Sequence, residues 1–130
     1  MKEIRDPRDW LVRAEQDRQA IGAVISLQEP LWEIAAFHAQ QASETFLKAF
    51  LVQNGWTLKK THNLNDLLTD CLMYDGTLSQ MSKDCTLVPP FAMAGRYARP
   101  LTVTRSTCEA AIAAAERIRT EILKRLPDHA

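Results

Sequence analysis

The chain is expected to be all-α, a four- to five-helix up-and-down bundle. Two observations lead there. Apolar residues recur at intervals of three and four rather than two. Its 130 residues also hold only four glycines, and runs of β-branched residues are scarce. The first helix starts near Asp6-Pro7, because Asp is a good N-cap and Pro is tolerated at the first helical position. Trp10, Leu11, Ala14, Ile21, Val24 and Ile25 form its apolar face, and Asp17 interrupts that stripe. Glu29-Pro30 is expected to end it, since Pro disfavours helix in the residue before it.

A second helix is predicted from about Leu31 to Asn54, with Gly55 as the residue after its end. Leu31, Ala35, Ala42, Phe46, Ala49 and Phe50 share one face, and Phe37, Leu47 and Leu51 lie on a second. A helix apolar on two sides is central or lies at an interface. Asn63, with Asp66 three residues on, resembles a capping box and opens a short third helix carrying Leu64, Leu67, Leu68, Cys71 and Leu72. Asp75-Gly76 is a turn, Thr77 to Leu87 a fourth helix stopped by Pro89-Pro90, and Phe91 to Tyr97 a further helical turn. The last helix spans about Thr104 to Leu126, with Cys108, Ala111, Ile112, Ala115, Ile118, Ile122 and Leu126 in one stripe. Alanines at 110, 111, 113, 114 and 115 permit close approach of a neighbour. One domain is expected over 1–130, with its core at about 7–126 and a tail at 127–130.

Sixteen basic residues balance sixteen acidic ones. Zero net charge argues against coating nucleic acid or an anionic membrane by bulk electrostatics. The charged start MKEIRDPRDW leaves no apolar signal segment, and no run is long enough to span a bilayer. A cytoplasmic protein that meets no membrane is expected. Three scattered cysteines without a CxxC argue against a disulfide scaffold or a thiolate zinc site. No HxxxH, HExxH, Gly-rich phosphate loop or GxSxG occurs, so neither metal nor cofactor is expected.

Polar residues on the second helix are the first candidates. His38, Gln41 and Lys48 line up between its apolar faces with Glu44 or Thr45, which would offer a phosphate or base edge an imidazole, an amide and an ammonium. The same line would equally serve as a polar seam between helices. Asp17, set among apolar residues, needs a partner such as His38, Lys48 or an arginine. Thr61 and His62 precede a helix N-terminus, which attracts anions, and Lys59 and Lys60 add positive potential. From Cys85 to Cys108 there is no Asp or Glu, yet Arg96, Arg99 and Arg105 occur with Tyr97 and Phe91. Arginine beside aromatics suits phosphate binding and base stacking.

The string Phe37-His38-Ala39-Gln40-Gln41-Ala42-Ser43-Glu44, followed by Leu47-Lys48-Ala49-Phe50-Leu51, resembles the second helix of the prokaryotic HEPN domain family. Trp10 and Asp17 in the first helix, the loop Lys60-Thr61-His62-Asn63-Leu64, and Arg96-Tyr97 before the last helix extend that resemblance over about residues 7 to 126. The resemblance implies a helical bundle that forms homodimers. It also implies a partner, a minimal nucleotidyltransferase encoded nearby, in toxin–antitoxin or related modules, and a nucleotide ligand as in some members. Ribonucleases of that family use an Arg, four to six residues, then a His near the start of the last helix. No histidine follows Arg96, Arg99 or Arg105 at that spacing, and Arg125 and His129 have only three residues between them. A non-catalytic module is therefore expected, binding a nucleotide or docking a nucleotidyltransferase through His38, Gln41, Lys48, Thr61, His62, Arg96 and Tyr97. The alternatives are a divergent ribonuclease using His38 or His62 as base and Arg96 or Arg105 for charge, with RNA as substrate, and a pure protein-interaction bundle. The second apolar face of helix two would leave a surface for a twofold partner.

Overall fold

The computed structural model describes residues 6–57, 59–88 and 103–126. Among them are five α-helices and one 3-10 segment, with no strand. These are α1 (Pro7–Ile25), α2 (Trp32–Gln53), α3 (Leu64–Leu72), the 3-10 segment Gly76–Met81, α4 (Ser82–Leu87) and α5 (Arg105–Leu123).

Local chemistry sets most of the boundaries. The Asp6 side chain accepts from the Arg8 N–H ahead of Pro7, as the sequence suggests. At the other end α1 stops at Ile25, short of Glu29-Pro30. The Ser26 backbone N–H and hydroxyl both donate to the Gly22 carbonyl, and the Leu31 N–H returns to the Val24 carbonyl. Those bonds close the helix before proline does. Gly55 takes a φ of 82° after α2, a conformation that costs a glycine little. The anticipated capping box of α3 is half formed. Asn63 accepts from the N–H groups of Asn65 and Asp66, but its own N–H donates to the Thr61 hydroxyl rather than to Asp66. Thr77 to Leu87 is not one helix, because Asp75 caps a 3-10 turn that gives way to α4 only at Ser82. Thr104 caps α5 through the Thr107 N–H. The expected turn at Phe91 to Tyr97 and the tail at 127–130 lie outside the described residues.

Helix α2 is the axis of the molecule. Every residue from Ala42 to Leu51 is buried. α1 packs along it most extensively, α5 covers another side and α3 a third. The pairs Trp10 with Lys48 and Asp17 with His38 show that α1 runs antiparallel to α2. Arg105 sits 5.7 Å over the Trp32 ring, so α5 begins beside the start of α2 and runs parallel to it. Small residues allow these approaches: Ala35, Ala36, Ala39, Ala42 and Ala49 on α2, Ala14 on α1, and Ala111, Ala114 and Ala115 on α5 are all buried. Ala110 and Ala113 stay outside this core. Leu47 and Leu51 are fully buried within the chain. The second apolar face of α2 is thus covered by the bundle itself, and only Phe37 remains partly exposed. The large apolar side chains left open include Leu27, Leu31 and Ile34 at the α1–α2 corner.

Ion pairs tie the outer helices together. Arg18 bridges Glu15 and Glu116, and Arg119 reaches Glu15, joining α1 to α5. Arg125 pairs with Asp75 at 2.8 Å, fastening the end of α5 to the turn before the 3-10 segment. Burial pushes the Glu15 carboxyl up, but hydrogen bonds from Arg119 and Arg18 outweigh it and hold Glu15 below its usual range. Hydrogen bonds from Thr77 and Arg125 hold Asp75 down, and those from Lys124 and Arg125 do the same for Glu121. A carboxylate whose folded value is depressed stabilises the fold above its unfolded value and loses that contribution as pH falls. Urea midpoints are therefore expected to decline below about pH 5, with a shallower acid limb in Glu15→Gln.

All three cysteines are buried, and none forms a disulfide. Burial pushes the Cys71 and Cys85 thiols up to about 12, and raises Cys108. Since the thiolate is the reactive form, a thiol reagent at neutral pH is expected to label the native protein slowly and urea-unfolded protein rapidly. Fast native labelling would contradict this packing.

Candidate functional site

The polar residues of α2 form two clusters, where a single line was anticipated. His38 and Lys48 are ten positions apart, about 15 Å of helix rise. In the first cluster, His38 Nδ1 lies 2.8 Å from Asp17 Oδ1. This is the pairing that the misplaced Asp17 required. Both side chains are mostly buried, and the Phe37 ring meets the His38 imidazole edge-on. Gln41 sits at the helix flank, its backbone carbonyl accepting from the Thr45 hydroxyl.

The second cluster centres on Glu44, which is 6% exposed. Its Oε2 lies 2.8 Å from the Lys48 ammonium, a favourable order for a pair four residues apart on a helix. Its Oε1 lies 3.0 Å from His62 Nδ1 and accepts from Gln40 Nε2 at 3.3 Å. Gln40 Nε2 also donates to the His62 carbonyl at 3.1 Å, so the side chain of α2 grips the loop by its backbone as well. Lys48 Nζ lies 5.8 Å from the centre of the Trp10 ring, completing a buried stack of ring, ammonium and carboxylate. Ser43 and Thr45 enter the same interior by donating to carbonyls one turn back. Gln40 Oε1 is buried and has no partner among the described residues.

His62 is the outward member of this group. Its side chain is 63% exposed although Nδ1 is held by a buried carboxylate. The ring is thereby anchored at Nδ1 while most of it stays open to solvent. Lys59 and Lys60 lie exposed on the same loop. The N-terminus of α3 has less to offer an anion than the sequence suggests, because Asn63 already takes two of its N–H groups. Thr61 serves that turn through its hydroxyl.

The candidate residues therefore divide. Lys48, Thr61 and His62 gather around Glu44 and the loop that follows α2. His38 belongs to the separate pair with Asp17, and Gln41 joins neither cluster. Arg96 and Tyr97 lie outside the described residues. Arg105 pairs with Glu109 and covers Trp32. Gln40 is a member that the sequence did not single out, and Glu44 entered the stripe only as one of two choices. The repeat of four that joins 40, 44 and 48 was the available signal. Among the described residues there is no group of three or more His, Cys, Asp or Glu able to hold a metal ion. Among the same residues, no helix is long and apolar enough to cross a membrane.

A family model described as HEPN domain matches residues 7–126. Among solved structures, the crystal structure of TT1696 from Thermus thermophilus is similar at a TM-score of 0.79 and 25% identity, covering 92% of this chain and 98% of that one. No curated protein matches the chain.

Proposed function

Because the chain belongs to the HEPN domain family, we propose that it is a non-catalytic, nucleotide-binding member that pairs with itself and docks a minimal nucleotidyltransferase in a toxin–antitoxin-like system. The observation that carries the binding reading is the exposed His62 ring, aimed by buried Glu44 beside Lys59 and Lys60. An oriented imidazole on a loop that also carries exposed Lys60, with Lys59 held by Asp70, suits a phosphate. Lys48, its charge met by Glu44, acts through that carboxylate rather than on the ligand. Mass action supplies the test, since a ligand that binds only the folded state raises the melting temperature. AMP or ATP at millimolar concentration is expected to raise it in the native protein and to raise it less in His62→Ala. An unmoved transition in the native protein would overturn the reading.

Homodimerisation belongs to the same proposal, with Leu27, Leu31 and Ile34 as the apolar surface open to a second copy. Light scattering is expected to give twice the 14.7 kDa of one chain, and a monomer mass would contradict it. Co-expression with a neighbouring nucleotidyltransferase gene, followed by purification through that partner, tests the docking.

A second reading has its own support. Both His38 and His62 present Nδ1 to a carboxylate, the arrangement that orients an imidazole as a general base. Cleavage of RNA by purified protein, abolished in His38→Ala or His62→Ala, would favour a divergent ribonuclease.

A further inference from the structure

A cleft of about 310 Å³ opens between the loop after α2 and the end of α3, on the stretch of chain that leads to His62. Trp56, Tyr74 and Met73 line it, with Lys59 and Asp70. Its walls are held in place from behind. The Trp56 indole N–H donates to Asp70 Oδ2 at 3.0 Å, and the Trp56 backbone N–H donates to the Leu51 carbonyl. The Tyr74 ring meets buried Phe50 edge-on at 6.5 Å. Yet Tyr74 is 45% exposed and Met73 81% exposed. Met73 and Tyr74 are thus left open on one hollow beside the half-buried Trp56, which costs solvation.

The polar groups say what would fit. Asp70 spends only Oδ2, which takes Trp56 and the Lys59 ammonium at 3.2 Å. Among the described residues Oδ1 takes no hydrogen bond, and Asp70 lines the cleft. Lysine has three donors, and Lys59 uses one of them here. A flat ring carrying an amino group would stack on the apolar walls and donate to Oδ1. A phosphate on that ligand would reach the remaining Lys59 donors. We propose that this cleft seats an amino-bearing nucleobase, adenine or cytosine before uracil, from a free nucleotide or a single strand. The inference deepens the nucleotide-binding reading and rests on it, since the loop 59–62 joins the cleft to His62. Uracil is disfavoured because it offers carbonyls where the other bases offer an amino group, and these would face the carboxylate.

Tryptophan fluorescence reads the site directly. Trp56 is one of three tryptophans, so a stacked base quenches part of the emission. Titration of the intact chain with AMP and CMP is expected to quench, and UMP to quench less. A short adenine oligonucleotide distinguishes the sources: tighter quenching than by AMP assigns a single strand, equal or weaker quenching a free nucleotide. Trp56→Phe is expected to abolish the quench. Tyr74→Ser and Met73→Ala change exposed residues, and each is expected to weaken binding by about tenfold. Asp70→Asn keeps an acceptor for the indole and is expected to erase the preference over UMP. An unchanged quench in Trp56→Phe, or unchanged affinity in Tyr74→Ser while AMP still raises the melting temperature, would overturn the cleft and leave nucleotide binding standing. No quench and no thermal shift with any nucleotide would remove both.

Discussion

Replacing Glu44 with alanine is expected to lower the free energy of unfolding by about 3–5 kcal/mol. The Lys48 ammonium that Glu44 holds is nearly as buried as Glu44 itself. Removing the carboxylate strands that charge between Trp10 and the core, where water does not reach it easily. It also frees His62 and Gln40, both of which use Oε1. The cost belongs mainly to the abandoned lysine. Removing both charges, as in Glu44→Leu with Lys48→Met, is therefore expected to recover most of the stability, because an apolar pair of similar volume is tolerated where a lone charge is not. Urea denaturation of the two variants measures this. A loss below about 1 kcal/mol in Glu44→Ala would be the size of an exposed ion pair, and would contradict a buried network. The double variant has a second use. It restores packing without restoring the seat for His62, so it separates what the cluster does for stability from what it does for the loop.

Phe46→Ala is expected to cost about 3–5 kcal/mol by the same denaturation, through the cavity left in the centre of the bundle. Phe46 is fully buried on α2, where Leu47, Phe50 and Leu51 are buried too. Its neighbours are held by helices on three sides, and alanines already bring α1 and α5 close. The surroundings have little room to collapse into the gap. Phe46→Leu, which keeps more of the volume, is expected to cost less than the alanine variant. Equal stability of the alanine variant and the native protein would mean that α2 is not the packed axis described above.

The helices were legible because their signals are local. Proline and capping residues mark the starts of α1 and α3, Gly55 marks the end of α2, and the apolar stripe alone located α5. Boundaries shifted where a bond between backbone and side chain competes with the obvious punctuation. Ser26 ends α1 before Pro30 has any influence, and Asp75 starts a 3-10 turn that divides the fourth helical stretch. The site was half legible. Asp17 stood out as a charge in an apolar stripe, and it has the partner such a residue needs. The stripe on α2 was visible as spacing, but spacing alone does not say which carboxylate takes which cation. Gln40 and Lys48 reach Glu44 at the helical spacing of four, but His62 joins them because a loop returns to α2, a long-range contact that no helical period encodes. The covering of Leu47 and Leu51 by the chain itself was hidden for the same reason. Two apolar faces on one helix fit a central position as well as a dimer interface, and only the placement of α3 and α5 separates these.

Everything functional here turns on an imidazole that a buried carboxylate holds facing outward from the bundle. Nitrogen-edited spectra of the histidine rings, recorded while AMP is added, observe that group itself. The His62 ring nitrogens are expected to move progressively and saturate with the ligand. Ring nitrogens of His62 that stay fixed up to millimolar AMP would contradict the assignment of this loop as the binding surface.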